Sequence, residues 1–297
     1  MSREQRRALD EKLQQAPEGP EAPSIDQMRA GFAALMSKYP VPAEHRETPA
    51  TLAGRPAVLV EPPRDPRPGT ILYFHGGSFS LGSPHTAMAL TANLVLRTGI
   101  RALSLDYRLA PEHPFPAAIE DCLAAYRSLL DDNDPSSIVF AGDSAGGGLT
   151  VTTTLAARDA GLPMPAGLVA FSPGLDHTRT GASMETKEGV DPFFTRESMG
   201  HTGELYLGGA DPAQPLLAPA VHADLTGFPP ILLQVGTNEI LLDDSVRLAE
   251  RARDADIDVI LDITADVPHV FQAFTDTLDE AGQALDRAAL FIRQRLA

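Results

Sequence analysis

The sequence Ile138-Val-Phe-Ala-Gly-Asp-Ser-Ala-Gly-Gly-Gly-Leu-Thr-Val151 places one serine, Ser144, between two segments of different periodicity. The apolar run before Ser144 is typical of a short buried strand, and the run after it, LTVTTTLAARDA, is typical of a helix. Ser144 is therefore predicted at a sharp strand-to-helix corner. Gly142 and Gly146 stand two residues to either side, where larger side chains would collide in so tight a turn.

The same alternation of short apolar runs and longer helical patterns continues along the chain. It predicts helices at about residues 86–98, 116–130, 146–160, 243–255 and 282–296. The predicted strands are Ala57–Glu61, Thr70–His75, Arg101–Asp106, Ser137–Ala141, Ala166–Ser172, Pro230–Val235 and Asp258–Thr264. Nearly continuous Val, Ile and Leu in these runs favour strands that are covered on both faces. We predict an α/β fold with a mostly parallel sheet flanked by helices.

Composition limits the classes of partner. The 297 residues carry a formal net charge of −16, which disfavours binding to nucleic acid or to an anionic membrane surface. The first residues, MSREQRRALDEKLQQ, lack the apolar segment of a signal peptide, and no run approaches the ~18 apolar residues of a membrane-spanning helix. A soluble cytoplasmic protein is expected. The single cysteine, Cys122, lies on the apolar side of a helical pattern and is interpreted as a buried, inert thiol.

A serine hydroxyl is a weak nucleophile, so Ser144 needs a nearby general base. In proteins with this type of serine corner, the base follows the acid in the chain and lies on a loop beyond the last strand. Of the eight histidines, His269 in ITADVPHVFQAF occupies that place. The acid should follow the preceding strand, where Glu239 is the first carboxylate. Asp243 and Asp244 come one helical turn later and are the alternatives, interpreted as residues that open a helix.

A serine nucleophile also requires donors for the negative oxygen of a tetrahedral intermediate. The strand TILYFH leads into His75-Gly-Gly-Ser-Phe79, whose glycines allow backbone N–H groups to face a ligand. A further donor is predicted in the N–H of Ala145, directly after the nucleophile.

Four motifs together resemble a known family. HGGSF at 75–79, YRLAPEHPFPAAIED at 107–121, GDSAG at 142–146 and VPHVF at 267–271 are similar to those of the bacterial hormone-sensitive-lipase-like esterases of the α/β-hydrolase superfamily. The resemblance covers about residue 40 to the end. It implies an eight-stranded sheet with a helical cap, and hydrolysis of esters with short to medium acyl chains without a cofactor or a metal.

Transferred residue by residue, the resemblance implies Ser144 as nucleophile and His269 as base. It implies an oxyanion hole formed by the backbone of Gly76, Gly77, Ser78 and Ala145. Two positions depart from the family pattern: Ser78 stands where a third glycine is more common, and Glu239-Ile-Leu replaces Asp-Pro-Leu. The backbone donor at Ser78 is expected to persist if its φ is negative. The motif residues interpreted as scaffold are Asp143, Arg108 and Glu112.

Two segments interrupt the strand–helix alternation and are predicted to form the cap. Residues 1–45 are helical and charged, with a proline-rich break at residues 16–24, and residues 177–226 contain helical pieces without a strand. The catalytic domain is predicted at 46–297, with 177–226 as an insertion. Four apolar residues share one helical face of the first segment, where packing is favoured over direct contact with substrate: Met28, Phe32, Leu35 and Met36.

Other functions are compatible with the same residues and fold. A lactone or specialised ester hydrolase would use the same three residues, and a non-catalytic ligand-binding protein could share the fold. A metal-dependent hydrolase is disfavoured, because no H-x-x-H or H-E-x-x-H spacing occurs. The segment 257–263 alternates enough to form a late edge strand. Since an uncovered edge can pair with a second copy, a homodimer through this strand is predicted.

Overall fold

The computed structural model describes residues 2–14 and 23–296 of the 297-residue chain. The proline-rich break predicted at residues 16–24 falls for the most part outside the described residues.

Eight strands form one sheet among the described residues. They are β1 (Arg46–Leu52), β2 (Arg55–Glu61), β3 (Arg67–Phe74), β4 (Ile100–Leu105), β5 (Ile138–Asp143), β6 (Gly167–Phe171), β7 (Ile231–Asn238) and β8 (Val259–Pro268). Their order is β1-β2-β4-β3-β5-β6-β7-β8. β2 runs antiparallel to its neighbours β1 and β4, and all other pairs are parallel. The predicted fold class, an α/β-hydrolase fold with a mostly parallel eight-stranded sheet, is confirmed.

β1 is the strand that the sequence pattern missed. It reads RETPATL, and its first four residues are exposed, so no apolar alternation marks it. β1 forms because Ala53 and Gly54 turn the chain with positive φ values of 49° and 80°, which lays β1 antiparallel along β2. A local hairpin thus supplies the eighth strand.

Ten α-helices lie in the described ranges. They are α1 (Ser2–Gln14), α2 (Ile25–Met36), α3 (Met88–Thr98), α4 (Ala117–Leu130), α5 (Ala145–Asp159), α6 (Ser183–Thr186), α7 (Arg196–Leu207), α8 (Pro219–His222), α9 (Leu242–Asp254) and α10 (Asp279–Arg295). α3 and α10 pack on one face of the sheet, and α4, α5 and α9 pack on the other. Both faces are therefore buried, as the apolar strands predicted.

Alternate residues of β3 show how the two cores are separated. Ile71 and Tyr73 face α3 and α10, whereas Leu72 and Phe74 face α4 and α5. All four are fully buried. Cys122 of α4 belongs to the core between the sheet and helices α4, α5 and α9, where burial raises the pKa of its thiol well above the usual value.

The carboxyl ends of β3, β5, β7 and β8 carry the loops that contain the predicted site residues. The helices of the two predicted cap segments are α1 and α2 in the first and α6, α7 and α8 in the second. α1 packs against β8 and the start of α10, where Leu9 is buried beside Val267 and Phe271. The division into cap and catalytic domain remains a prediction. No helix in the described ranges is long and apolar enough to cross a bilayer.

β8 lies at one edge of the sheet, and its Ile260 and Ile263 are 50% and 45% exposed. The homodimer through this edge remains a prediction. We expect light scattering at micromolar concentration to give a dimer mass that Ile260→Lys reduces to the monomer mass, because a charge on an edge strand opposes pairing. A monomer mass for the unaltered protein would contradict the dimer.

Candidate active site

Ser144 occupies the corner between β5 and α5 with φ 54° and ψ −119°, a conformation that residues other than glycine rarely adopt. The neighbouring glycines make this corner possible. A Cβ atom on Gly142 would lie 2.4 Å from the Gly146 carbonyl oxygen, and one on Gly146 would lie 2.0 Å from the Phe74 carbonyl oxygen. The corner therefore depends on close backbone contact between β3, β5 and α5, and it presents Ser144 directly above the amino end of α5.

His269 follows the end of β8 and contacts the predicted acid. Its Nδ1 lies 2.8 Å from Oε2 of Glu239, the residue that follows β7. Glu239 is fully buried and His269 is 7% exposed. Because Nδ1 donates to the carboxylate, Nε2 is left as the basic nitrogen. Nε2 is buried and has no hydrogen-bond partner among the described residues. His269 and Ser144 line the same cavity.

The two alternative acids lie in other contacts. Asp243 accepts a hydrogen bond from the Ser183 N–H at 2.9 Å, and Asp244 accepts bonds from Leu175 N–H at 2.7 Å and Asp176 N–H at 3.0 Å. Both stand in the first turn of α9, as predicted, where they hold backbone of the segment after β6. Glu239 is thus the carboxylate that the structure brings to His269.

Ser172 is a further site residue that the sequence analysis did not identify. Its hydroxyl donates to Oε1 of Glu239 at 2.8 Å and accepts from the Val270 N–H at 3.0 Å. The same carboxylate oxygen accepts the Gly236 N–H at 2.5 Å. Ser172 thus ties the acid to the loop that carries the base. The available signal was a polar residue at the end of an apolar run, since Ser172 is the last residue of the predicted strand Ala166–Ser172.

Electrostatics favour the charged form of the imidazole. Burial alone would lower the pKa of His269, but the hydrogen bond and charge of Glu239, with more distant Asp191 and Asp143, raise it above the usual value of 6.5. A raised pKa stabilises the imidazolium that forms when the ring takes a proton. This is the property that a general base requires at the moment of transfer.

The oxyanion loop after β3 departs from expectation in two ways. Gly76 does not reach either cavity, because its N–H is directed at the Asp143 carboxylate, and a Cβ on Gly76 would lie 2.2 Å from Oδ2 of that residue. Ser78 has φ 53° rather than a negative φ, and Phe79 follows with φ 60°. Gly77, at φ 125°, and Ser78 line the cavity beside Ser144, and Ala145 lines an adjoining one.

Three motif-associated residues fix this loop. Tyr73 donates to Oδ1 of Asp143 at 2.8 Å, and Tyr107 donates to the His75 carbonyl at 2.7 Å. Burial raises the pKa of Asp143 to about 6, opposed by the bonds from Tyr73 and Gly76.

The two charged residues of the YRLAPEHPFP motif make ion pairs outside the reacting groups. Arg108 pairs with Asp121 at 2.8 Å and Glu112 pairs with Arg29 of α2 at 2.6 Å. Glu112 thereby links the motif to the amino-terminal helices. These contacts give the scaffold role that the sequence analysis assigned.

Two cavities meet at Ser144 and Ser78. The larger, of about 220 Å³, is mostly apolar and is also lined by Phe32, Leu35 and Met36 of α2. Packing had been favoured for these α2 side chains, but no residue of α2 is buried, and all three instead face the cavity. Met28 does not line it. In the described ranges, no three His, Cys, Asp or Glu side chains converge on a point where they could hold a metal ion.

Known proteins with similar sequences fall into one class. A family model described as alpha/beta hydrolase fold matches residues 71–273. An acetyl-hydrolase of Streptomyces hygroscopicus is 43% identical over 225 residues, which are 75% of this chain and 75% of its own. An esterase of Acinetobacter venetianus is 39% identical over 223 residues, 74% of this chain and 73% of its own.

Solved structures give the same result across the whole chain. A hormone-sensitive lipase from a metagenome library has a TM-score of 0.94 at 40% identity, covering 100% of this chain and 99% of its own. An esterase from the bacterial hormone-sensitive lipase family has a TM-score of 0.94 at 38% identity, covering 99% of each. Fold and site thus define an α/β hydrolase. The chain belongs to the bacterial hormone-sensitive-lipase-like esterases and is a carboxylic ester hydrolase, which confirms the resemblance read from its motifs.

Because the backbone of Ser78 is left-handed, the usual order of stability between an alanine and a glycine variant should be reversed at this position. We expect Ser78→Gly to be more stable than Ser78→Ala by about 1 kcal/mol, because a Cβ at this φ costs about 1–2 kcal/mol. At an ordinary φ the glycine variant is the less stable one by about 0.5–1 kcal/mol. Urea unfolding of both variants measures the difference.

The matched control is the same pair of substitutions at Ser136, an exposed serine outside the left-handed region. There the alanine variant should be the more stable. An alanine variant at Ser78 that equals or exceeds the glycine variant would contradict the strained loop.

Proposed function

We propose that Ser144, His269 and Glu239 form a catalytic triad that hydrolyses esters of short to medium acyl chains without a metal or cofactor. The observation that carries this proposal is the Nδ1 contact of His269 with buried Glu239, at 2.8 Å, beside the cavity that holds Ser144. That contact fixes the tautomer whose Nε2 can accept a proton. A binding protein without catalysis has no need of this arrangement.

In the proposed mechanism, Oγ of Ser144 attacks the ester carbonyl while Nε2 of His269 takes its proton. The carbonyl oxygen becomes an oxyanion, which the N–H groups of Gly77, Ser78 and Ala145 stabilise. The imidazolium then gives its proton to the departing alcohol, leaving Ser144 acylated. Water, deprotonated by the same nitrogen, attacks the acyl-enzyme and releases the acid and the free serine.

The size of the larger cavity supports short to medium chains. Its volume of about 220 Å³ lies below the ~300–1,000 Å³ typical of pockets for drug-sized ligands. The acetyl-hydrolase name of a relative that is 43% identical points the same way. The apolar residues of α2 in its wall suit hydrocarbon chains rather than polar groups.

Replacing the nucleophile tests the function directly. We expect Ser144→Ala to lower kcat for p-nitrophenyl acetate by about 10⁵-fold or more, since triad members act as a unit. Ser136→Ala, at an exposed serine, is the control and should keep full activity. Circular dichroism should show both variants folded. A folded Ser144→Ala protein with near-normal turnover would contradict the proposal.

The acid is tested by a pair of isosteric substitutions. We expect Glu239→Gln to lower kcat by about 10³–10⁴-fold, because an amide facing Nδ1 stabilises the wrong imidazole tautomer. The acid limb of the residual activity should shift to lower pH, since the Glu239 carboxylate raises the pKa of His269 and its removal lowers that pKa. Asp243→Asn should retain activity within severalfold.

The measurement is the dependence of kcat/KM on pH for the three proteins. In the unaltered enzyme, activity should fall as pH drops through a His269 pKa above 6.5, because the base must be neutral. If Asp243→Asn is the inactive variant, or if Glu239→Gln leaves the acid limb in place, the acid is assigned to the wrong residue.

A further inference from the structure

The smaller cavity beside the nucleophile, of about 40 Å³, has a cation in its wall. Ser78, Ser144 and Ala145 form one side of it, and Arg179 and Gly203 form part of another. Because Ser78 and Ser144 also line the larger cavity, an ester held at Ser144 can direct one arm into each space. The small cavity has room for only a few atoms, since a single water needs about 10–15 Å³ on this measure.

The Arg179 side chain is held in a groove of α7 that two glycines create. A Cβ on Gly203 would lie 2.0 Å from its Nη2, and one on Gly200 would lie 3.4 Å from its Nη1. Its own backbone is in the left-handed region at φ 55°, in a turn closed by its N–H to the Asp176 carbonyl at 3.1 Å. Strained backbone of this kind clusters at ligand sites.

The guanidinium has few partners within the protein. In the part of the chain that the structure describes, Arg179 forms no ion pair, and its side-chain hydrogen bond to the Gly200 carbonyl is long, at 3.4 Å. The group has five N–H donors. Burial lowers the pKa of Arg179, and the charge of Glu204 only partly offsets this. A half-buried cation with unused donors favours a bound acceptor.

The other ionisable groups around this cavity are already satisfied or neutral. Asp176 pairs with Arg247 at 2.9 Å and accepts bonds from Thr178 and Thr180. Asp244 accepts the N–H groups of Leu175 and Asp176, and burial lowers the pKa of His177 to about 4, so that this ring is neutral at neutral pH. Arg179 is therefore the unmatched charge among the residues described in this wall.

We propose that Arg179 forms a subsite for a carboxylate on the arm of the substrate ester that enters the smaller cavity, so that the enzyme prefers monoanionic esters over neutral ones of the same shape. The proposal rests on the esterase function proposed above and adds the chemical class of its substrate. The planar guanidinium suits a carboxylate, which can accept two parallel N–H bonds. The larger apolar cavity would hold the other arm.

Two pairs of esters test the preference. Monoethyl succinate and ethyl 4-methylpentanoate place the charge or its apolar isostere on the acyl arm, and acetoxyacetate and isobutyl acetate place it on the alcohol arm. In each pair an isopropyl group replaces the carboxylate. Titration of released acid at neutral pH gives kcat/KM for each ester. We expect the anionic member to be preferred by about tenfold in at least one pair.

Variants then assign the preference to Arg179. Arg179→Met should abolish it, so that the ratio of kcat/KM between the two members of each pair falls to about one. Gly203→Ala should weaken it too, because its Cβ displaces the guanidinium without removing the charge. Arg253→Met is the control: it removes the same charge from an exposed part of α9, where the side chain is 69% exposed, and should keep the preference.

The outcomes separate this subsite from the esterase function. If neutral esters are hydrolysed and neither anionic member is preferred, the subsite is wrong and the esterase function stands. If Arg179→Met lowers both members of a pair equally, together with the melting temperature, Arg179 merely anchors α7 and the subsite is again wrong. If none of the four esters is hydrolysed, both proposals are overturned.

Discussion

The hydrogen bond from Nδ1 of His269 to the buried carboxylate of Glu239 is the interaction on which the rest of the site depends. A fully buried carboxylate is costly unless its oxygens are satisfied, and here each one is. One oxygen receives Gly236 N–H and the Ser172 hydroxyl, and the other receives the imidazole. The groups involved come from the ends of β6, β7 and β8. These ends meet because β6, β7 and β8 are parallel neighbours and therefore terminate at the same edge of the sheet.

The loop after β7 that carries Glu239 is joined to the covering segment between α6 and α7. Asp191 accepts bonds from the N–H groups of Phe193 and Phe194 with one oxygen, and from the Ile240 N–H with the other, at 2.9 Å. Ile240 directly follows Glu239. Phe194 lies edge-on to His269 with 4.9 Å between ring centroids. Asp191 thus ties the covering segment to the loop that carries Glu239, beside the ring that carries the proton.

The sequence predicted the elements with strong local signals and missed those whose role depends on contacts between distant segments. The buried strands and the serine corner follow from apolar runs and from glycines that no other residue can replace. β1 lacks an apolar pattern and was missed. Ser172 and Arg179 were missed because their importance arises from Glu239 and from the glycines of α7, which lie elsewhere in the chain. At Ser78 the backbone donor was expected to persist if φ were negative, and the tight turn that follows β3 instead holds φ at 53°.

The central claim is that the imidazole held by Glu239 activates Ser144, and labelling with a fluorophosphonate tests it most directly. This reagent reacts covalently with an activated serine, and peptide mass mapping identifies the residue. We predict one phosphonyl group per chain, on the peptide that contains Ser144. The labelling rate should fall by about 10³-fold or more in a folded His269→Ala variant. A label on another residue, or an unchanged rate in that variant, would contradict the claim.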